Sequence, residues 1–148
     1  MQKEIISYEQ YGNLCNLLGK AIKKDSRKIV GVYGIPRGGV GIALHISHYL
    51  NIPYITDNLS WPNYTNEYIV ICDDIADSGK TLCDLEKIHT KLIFATLFYK
   101  SKSVVKPDYY VQLTDSWIVF PWENDNSVPS QFHQEMYPDL DIGGKCAF

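Results

Sequence analysis

Ile69-Val-Ile-Cys-Asp-Asp-Ile-Ala-Asp-Ser-Gly-Lys-Thr-Leu82 is the stretch from which the rest of the chain can be read. Tyr68 to Cys72 is short, apolar and β-branched, the pattern of a strand buried on both faces of a parallel sheet. Asp73 to Thr81 then reads as a polar, solvent-facing loop, and Leu82, Leu85 and Ile88 follow at helical spacing. A glycine-containing turn at a helix start aims free N–H groups and the positive end of a helix dipole at one point, which makes a phosphate site. Ser78 and Thr81 add hydroxyl donors there, and Lys80 adds a point charge. Asp73 and Asp74 would repel an anion at that place unless they had another use. Carboxylates bind vicinal hydroxyls and Mg²⁺. A ligand with a phosphate at one end, a diol in the middle and a metal nearby is a phosphorylated ribose. A triphosphatase P-loop is excluded, although Gly79-Lys80-Thr81 matches its end, because Asp74 stands where that motif needs its first glycine.

On either side of this stretch, strands alternate with helices. Ser7-x-x-Gln10 fits a capping box, and Tyr11, Leu14, Cys15, Leu18, Ala21 and Ile22 predict a helix from about Ser7 to Lys24. Ile29 to Tyr33 is a strand, followed by the glycine loop Gly34 to Gly39 and a helix through Ile42, Leu44, Ile46 and Leu50. Tyr54 to Thr56, Leu92 to Tyr99, Tyr109 to Leu113 and Trp117 to Phe120 complete the strands. This order implies an α/β fold with a mainly parallel twisted sheet flanked by helices. Both special loops leave the carboxyl end of a strand, so they should face one crevice. A dinucleotide fingerprint is not supported, since Gly39-x-Gly41 is followed by Leu44 where glycine or alanine belongs.

The 148 residues are read as one domain, 1–148, with 124–148 a C-terminal extension rich in Asn, Ser, Pro and Gly. A net charge of −3 gives no reason to expect nucleic acid or a membrane surface as partner. Any anionic substrate must be met locally. The chain has two arginines, and one of them, Arg37, lies inside the glycine loop. Cys15, Cys72, Cys83 and Cys146 show no metal or redox spacing, and no apolar run is long enough to span a membrane. Free thiols in a reduced cytoplasmic compartment are the simplest reading. His45 and His48, at helical spacing, read as an ordinary helix surface.

Ile69 to Leu82 resembles the phosphoribosyl pyrophosphate (PRPP) signature of type I phosphoribosyltransferases. Pro36-Arg37-Gly38-Gly39 resembles their pyrophosphate loop, and Ala95 to Lys100 the strand that ends in a lysine in purine members. Asp115-Ser-Trp-Ile-Val-Phe-Pro-Trp-Glu123 resembles the base-pocket segment of the xanthine-guanine enzymes. The resemblance implies a small hood over the sheet and a homo-oligomer. It implies transfer of phosphoribose from PRPP to a 6-oxopurine (guanine, xanthine or hypoxanthine), with Mg²⁺ as cofactor. Asp77, Ser78, Gly79, Lys80 and Thr81 would hold the 5′-phosphate. Asp73 and Asp74 would hold the ribose hydroxyls or Mg²⁺. Arg37, Gly38 and Gly39 would hold the pyrophosphate, with the peptide entering Arg37 often cis. Ile75 and Trp117 would sandwich the base, while Lys100 and the Ile118 backbone read its edge. Glu123 would serve a second metal or the 2-position. Arg37 and Asp77 would be the catalytic groups, Asp77 standing near purine N7.

Family members close a loop over PRPP between the second and third core strands, and often carry a Ser-Tyr pair there. Here Ser60-Trp61 occupies the comparable place, and Asp57 to Glu67 makes a short lid. Two other readings remain: an enzyme for another nucleobase, and a PRPP-binding regulator without turnover.

Overall fold

Ser7 starts the first helix by the exchange its spacing announces: its Oγ accepts from the Gln10 N–H at 3.1 Å, and Gln10 Oε1 accepts from the Ser7 N–H at 2.8 Å. The helix, α1 (Tyr8–Ile22), buries Cys15, Leu18 and Ile22. The computed structural model describes residues 2–57 and 66–123. Most of the expected lid and the whole of the extension 124–148, Cys146 included, lie outside the described residues. No described helix is long and apolar enough to cross a membrane.

Four strands form the main sheet: β2 (Lys28–Gly34), β3 (Glu67–Ala76), β4 (Leu92–Tyr99) and β5 (Tyr109–Leu113), side by side and all parallel. Helices α2 (Gly38–Leu50) and α3 (Lys80–Ile88) follow β2 and β3. Alternation along the strands sorts the core into two layers. Val70 and Cys72 of β3 pack with α1 and α2 through Leu18, Ile22, Ile42 and Ile46. Ile69 and Ile71 pack on the opposite face with Leu82 and Leu85 of α3. The sheet is therefore covered on both sides, as a parallel sheet requires. Ile88 ends α3 exposed rather than in the core.

The strand expected at Tyr54 to Thr56 is reduced to one bridge, Val32↔Tyr54, held by Val32 N→Pro53 O and Ile55 N→Val32 O. Pro53 has no N–H with which to extend the ladder. The bridge lies along the edge of β2 away from β3, so β2 sits between successive segments of the chain. This is a topological switch point, and a crevice opens there between the loops that follow β2 and β3.

A second, two-stranded parallel sheet stands apart, made of β1 (Lys3–Ile5) and β6 (Trp117–Val119), with Glu4 opposite Ile118. Among the described residues it is what corresponds to the expected hood. Lys-Glu-Ile carries no strand signal of its own, and β1 exists because β6 offers it an edge.

The polar loop read at Asp73 to Thr81 is shorter than expected, because β3 continues through Ala76. Its pairing with β2 stops at Gly34↔Cys72, whereas pairing with β4 runs on through Asp73↔Thr96, Ile75↔Phe98 and Ala76↔Tyr99. The glycine loop takes over the side that β2 vacates: the Ile35 N–H donates to the Cys72 carbonyl at 2.9 Å. Gly39 abuts the Cys72 carbonyl and the Asp73 Cα so closely that no Cβ fits. Gly39→Ala should therefore cost about 2–3 kcal/mol by forcing backbone apart. Gly12→Ala, in α1 with nothing near its added methyl, should stabilise by about 0.5–1 kcal/mol. Denaturant unfolding of the two variants checks both signs.

Candidate active site

Three chain segments meet at the crevice, and each is held by backbone before any side chain is considered. The first is the β2–α2 loop. Its Pro36–Arg37 peptide is cis, as the resemblance implied, and Arg37 caps α2 without a side-chain hydrogen bond. The other arginine is already occupied: Arg27 grips Asp25 through Nε and Nη2 at 2.9 and 2.6 Å, and Tyr109 donates to the same carboxylate at 2.6 Å. Among the described residues nothing engages the exposed Arg37 guanidinium. Gly38 lies directly against the Asp74 carboxylate, where a Cβ would collide with Oδ2. The loop thus brings an arginine and an uncapped helix start to the two aspartates.

Those aspartates form the second segment. They are strand residues, largely withdrawn from water, and not the solvent-facing loop residues that the sequence suggested. The Asp74 N–H donates to Asp73 Oδ1 at 2.9 Å, and the Ile75 N–H donates to Asp74 Oδ1 at 2.8 Å. Burial, and then the charge of Asp74, pushes the Asp73 carboxyl up to about 8. Asp74 is raised chiefly by burial, with the negative charge of Glu123 adding to it. Two adjacent carboxylates without a cation are an electrostatic deficit that a bound cation would relieve. No cluster of three or more His, Cys, Asp or Glu side chains suited to a metal occurs among the described residues. His45 instead meets Asn16 Oδ1 at 2.8 Å. A pair of carboxylates suits Mg²⁺, which commonly takes one or two from the protein and fills its other positions from phosphate and water.

The third segment is the turn Asp77–Gly79 with the start of α3. Gly79 adopts φ 78°, and a Cβ there would meet the Val105 and Val104 nitrogens at 2.7 and 3.0 Å. Only glycine satisfies both conditions. α3 has no side-chain cap, although Ser78 Oγ accepts from the Lys80 N–H at 3.3 Å. Lys80 and Thr81 are exposed at the helix start. Residues 77–81 thus form a glycine turn that enters a helix start without a side-chain cap.

Beyond it stands Lys100, buried at the end of β4, its Nζ 3.8 Å from Asp77 Oδ1 and 5.9 Å from the centre of the Trp117 ring. Trp117 is half exposed. Ile75 packs toward the α1–α2 layer, and the Ile118 side chain is buried in that layer. The β1–β6 ladder bonds through the Trp117 N–H and the Val119 carbonyl. By the alternation of a parallel ladder, the Ile118 N–H and C=O point to the edge away from β1. Glu123, exposed, folds back on its own turn, its Oε2 accepting from the Phe120 N–H at 3.0 Å. It fastens a turn and bears on Asp74 only through its charge.

Sequence reasoning missed Lys102, whose Nζ lies 2.9 Å from Asp77 Oδ1, and missed the latch from Ser101 to Asp115, with Ser101 Oγ donating to Oδ1 at 2.8 Å. It also missed Tyr11, which reaches from α1 to meet Trp122 edge-on at 5.0 Å, while Trp122 stacks on Phe120 at 4.8 Å. The only prior signal was the doublet Lys100-Ser-Lys102.

A family model described as the phosphoribosyl transferase domain matches residues 54–125. The xanthine-guanine phosphoribosyltransferase of Cereibacter sphaeroides (strain ATCC 17025 / ATH 2.4.3) is 31% identical over 114 residues, 62% of this chain and 68% of that protein. A protein of the same name from Ruegeria sp. (strain TM1040) is 39% identical over 57 residues, 37% of this chain and 32% of that protein. Among solved structures, a purine phosphoribosyltransferase from Pyrococcus horikoshii Ot3 superposes with TM-score 0.71 at 28% identity, covering 87% of this chain and 99% of that one. The Helicobacter pylori xanthine-guanine-hypoxanthine phosphoribosyltransferase shares the fold, with TM-score 0.67 at 22% identity over 82% of this chain and 92% of that one.

The aspartate pair makes a prediction about stability. An unfolded Asp ionises near pH ~4, whereas folded Asp73 holds its proton to about pH 8. Between those values the folded state binds a proton that the unfolded state has lost, so this group's contribution to stability falls as pH rises. Without ligand or divalent cation, Asp73→Asn should raise the Tm at pH ~8 by on the order of 5 °C and flatten its decline from pH ~5. A lower Tm for the variant at the alkaline end would contradict the electrostatic account.

Proposed function

The chain belongs to the phosphoribosyltransferase family, and from that premise we propose that it joins a 6-oxopurine to the phosphoribose of PRPP, releasing pyrophosphate. The observation that carries the choice of base is Lys100: a buried ammonium beside a half-exposed tryptophan ring, aimed where a purine carbonyl could accept from it. On this reading the free amides at the start of α3, with Ser78 and Thr81, hold the 5′-phosphate. Asp73 and Asp74 face the ribose hydroxyls, and Arg37 with the amide of Gly38 meets the pyrophosphate, the Gly39 N–H being donated to the Ile35 carbonyl at 2.9 Å. The pair Asp73–Asp74 would also hold Mg²⁺, which when bound neutralises charge on the leaving pyrophosphate.

In the transfer the bond from ribose C1 to the pyrophosphate oxygen breaks and a bond from purine N9 to C1 forms. The transition state is oxocarbenium-like, and the leaving group departs with the bonding pair. Arg37 stabilises the charge that grows on that oxygen. A base that enters as its N7–H tautomer releases the N7 proton as N9 attacks, and the Asp77 carboxylate is the acceptor. Its Oδ1 is shielded from water, with Lys102 and Lys100 at 2.9 and 3.8 Å, while the side chain as a whole is 46% exposed. Stacking on Trp117 and a hydrogen bond to Lys100 fix the angle of attack.

A PRPP-dependent turnover assay over guanine, xanthine, hypoxanthine, adenine and the pyrimidines tests the reading. The three 6-oxopurines should be consumed at least about a hundredfold faster than adenine, whose 6-amino group offers Lys100 no acceptor. Equal turnover of adenine would overturn the base assignment, and turnover of none would overturn the activity. Arg37→Ala should lower kcat/KM for PRPP about 10- to 100-fold, the loss expected of a charge-assisted hydrogen bond.

A further inference from the structure

Nothing in the family motifs quoted above assigns a role to Lys102. We propose that it is a positioning residue for the transfer. From the β4–β5 connection it pins Asp77 Oδ1, so that the exposed remainder of the carboxylate stays turned to the space between Lys100 and Trp117 where the base would stand. The inference rests on the proposed reading of that space as the base site.

An exposed lysine beside a carboxylate is ordinarily worth little, since both side chains stay mobile in water. Three observations set this pair apart. The oxygen that Lys102 meets at 2.9 Å is itself shielded from solvent, and its side-chain partners among the described residues are the two lysine ammoniums. The backbone carrying Lys102 is fastened on both sides. Ser101 donates through N–H and Oγ to Asp115 Oδ1 at 3.2 and 2.8 Å, and the Ser103 N–H donates to the Lys100 carbonyl at 3.0 Å. One residue further, the Val104 N–H donates to the Ser78 carbonyl at 2.9 Å. The same short connection thereby grips the turn that holds Asp77.

Geometry divides the labour between the two lysines. Lys100, buried and 3.8 Å from Oδ1, lies beyond hydrogen-bond reach of Asp77 and keeps its donors for the ligand. Lys102 approaches the same oxygen from the solvent side, its side chain 65% exposed, and can stay there when the crevice is filled. Without it, Asp77 would be drawn toward Lys100, the cation that remains. The acceptor and the base-reading donor would then neutralise each other instead of facing the purine.

Kinetics of Lys102→Met and Lys102→Arg, alone and combined with Asp77→Asn, decide the matter. Lys102→Met should lower kcat/KM for the 6-oxopurine about tenfold, leaving the KM for PRPP within about twofold and the Tm within about 1 °C. Lys102→Arg should recover activity to within about threefold. In the Asp77→Asn background, Lys102→Met should produce no further loss, because its effect runs through that carboxylate. The cycle is also read in affinity for the nucleoside monophosphate product, so a slow Asp77→Asn protein remains measurable. Unaltered kinetics in Lys102→Met, a loss that arginine does not recover, or full independent losses in the double variant would each overturn the proposal. Wild-type protein inert on every base would overturn the proposed function first, before any variant is compared.

Discussion

Two carboxyl groups set side by side at the end of a buried strand are the constraint around which this molecule is arranged. Both are raised chiefly by burial, Asp73 also by the charge of Asp74, and Asp74 also by that of Glu123. β3 outruns β2, so the aspartates lie past the last rung between those strands, and glycines let the next loop close in without side chains. Had Gly38 or Gly39 carried a Cβ, α2 could not start where it does. The charge deficit at β3 and the small residues after β2 are thus one device: the first demands a ligand, and the second lets helix and arginine approach it.

The opposite wall is built by an unusual connection. Parallel strands β4 and β5 are joined without an intervening helix, by a stretch that carries Lys100 and Lys102, latches to Asp115 and grips Ser78. It couples the turn Asp77–Gly79 to the segment that presents Trp117. On the other side, Tyr11, Trp122 and Phe120 form an aromatic prop under the end of β6, and Glu123 closes the turn between them. The Gly79 turn and the Trp117 segment are therefore positioned by one connected framework, which is what the proposed transfer between two substrates would need.

Much of this could be read in advance because the signals were local. The capping box at Ser7, the β-branched runs of β3 and β4 and the glycine loops each announce themselves within a few residues. The misreadings arose where distant partners decide. Asp73 to Ala76 looks like loop by composition, yet β4 offers a ladder that holds it as strand. Tyr54 to Thr56 looks like strand, yet Pro53 leaves it one bridge. Lys3 to Ile5 has no pattern at all and is ordered by β6, more than a hundred residues away. Lys102 was invisible for the same reason: one lysine among many gains meaning only from the carboxylate opposite it. The residues at the crevice were legible as a set, while their burial and their division into two walls were not.

The pairing of β1 with β6 also orders events in time. Closing a loop of that length is entropically costly and slow beside the local contacts of β3, α3 and β4. On the ribosome, residues 3–5 emerge long before the strand that will hold them and must wait for residues 117–119. The wall bearing Trp117 and Ile118 is thus completed by a late docking step, after the sheet beneath it has formed. A nascent chain with its Gly79 turn already folded would still lack the support for its Trp117 wall.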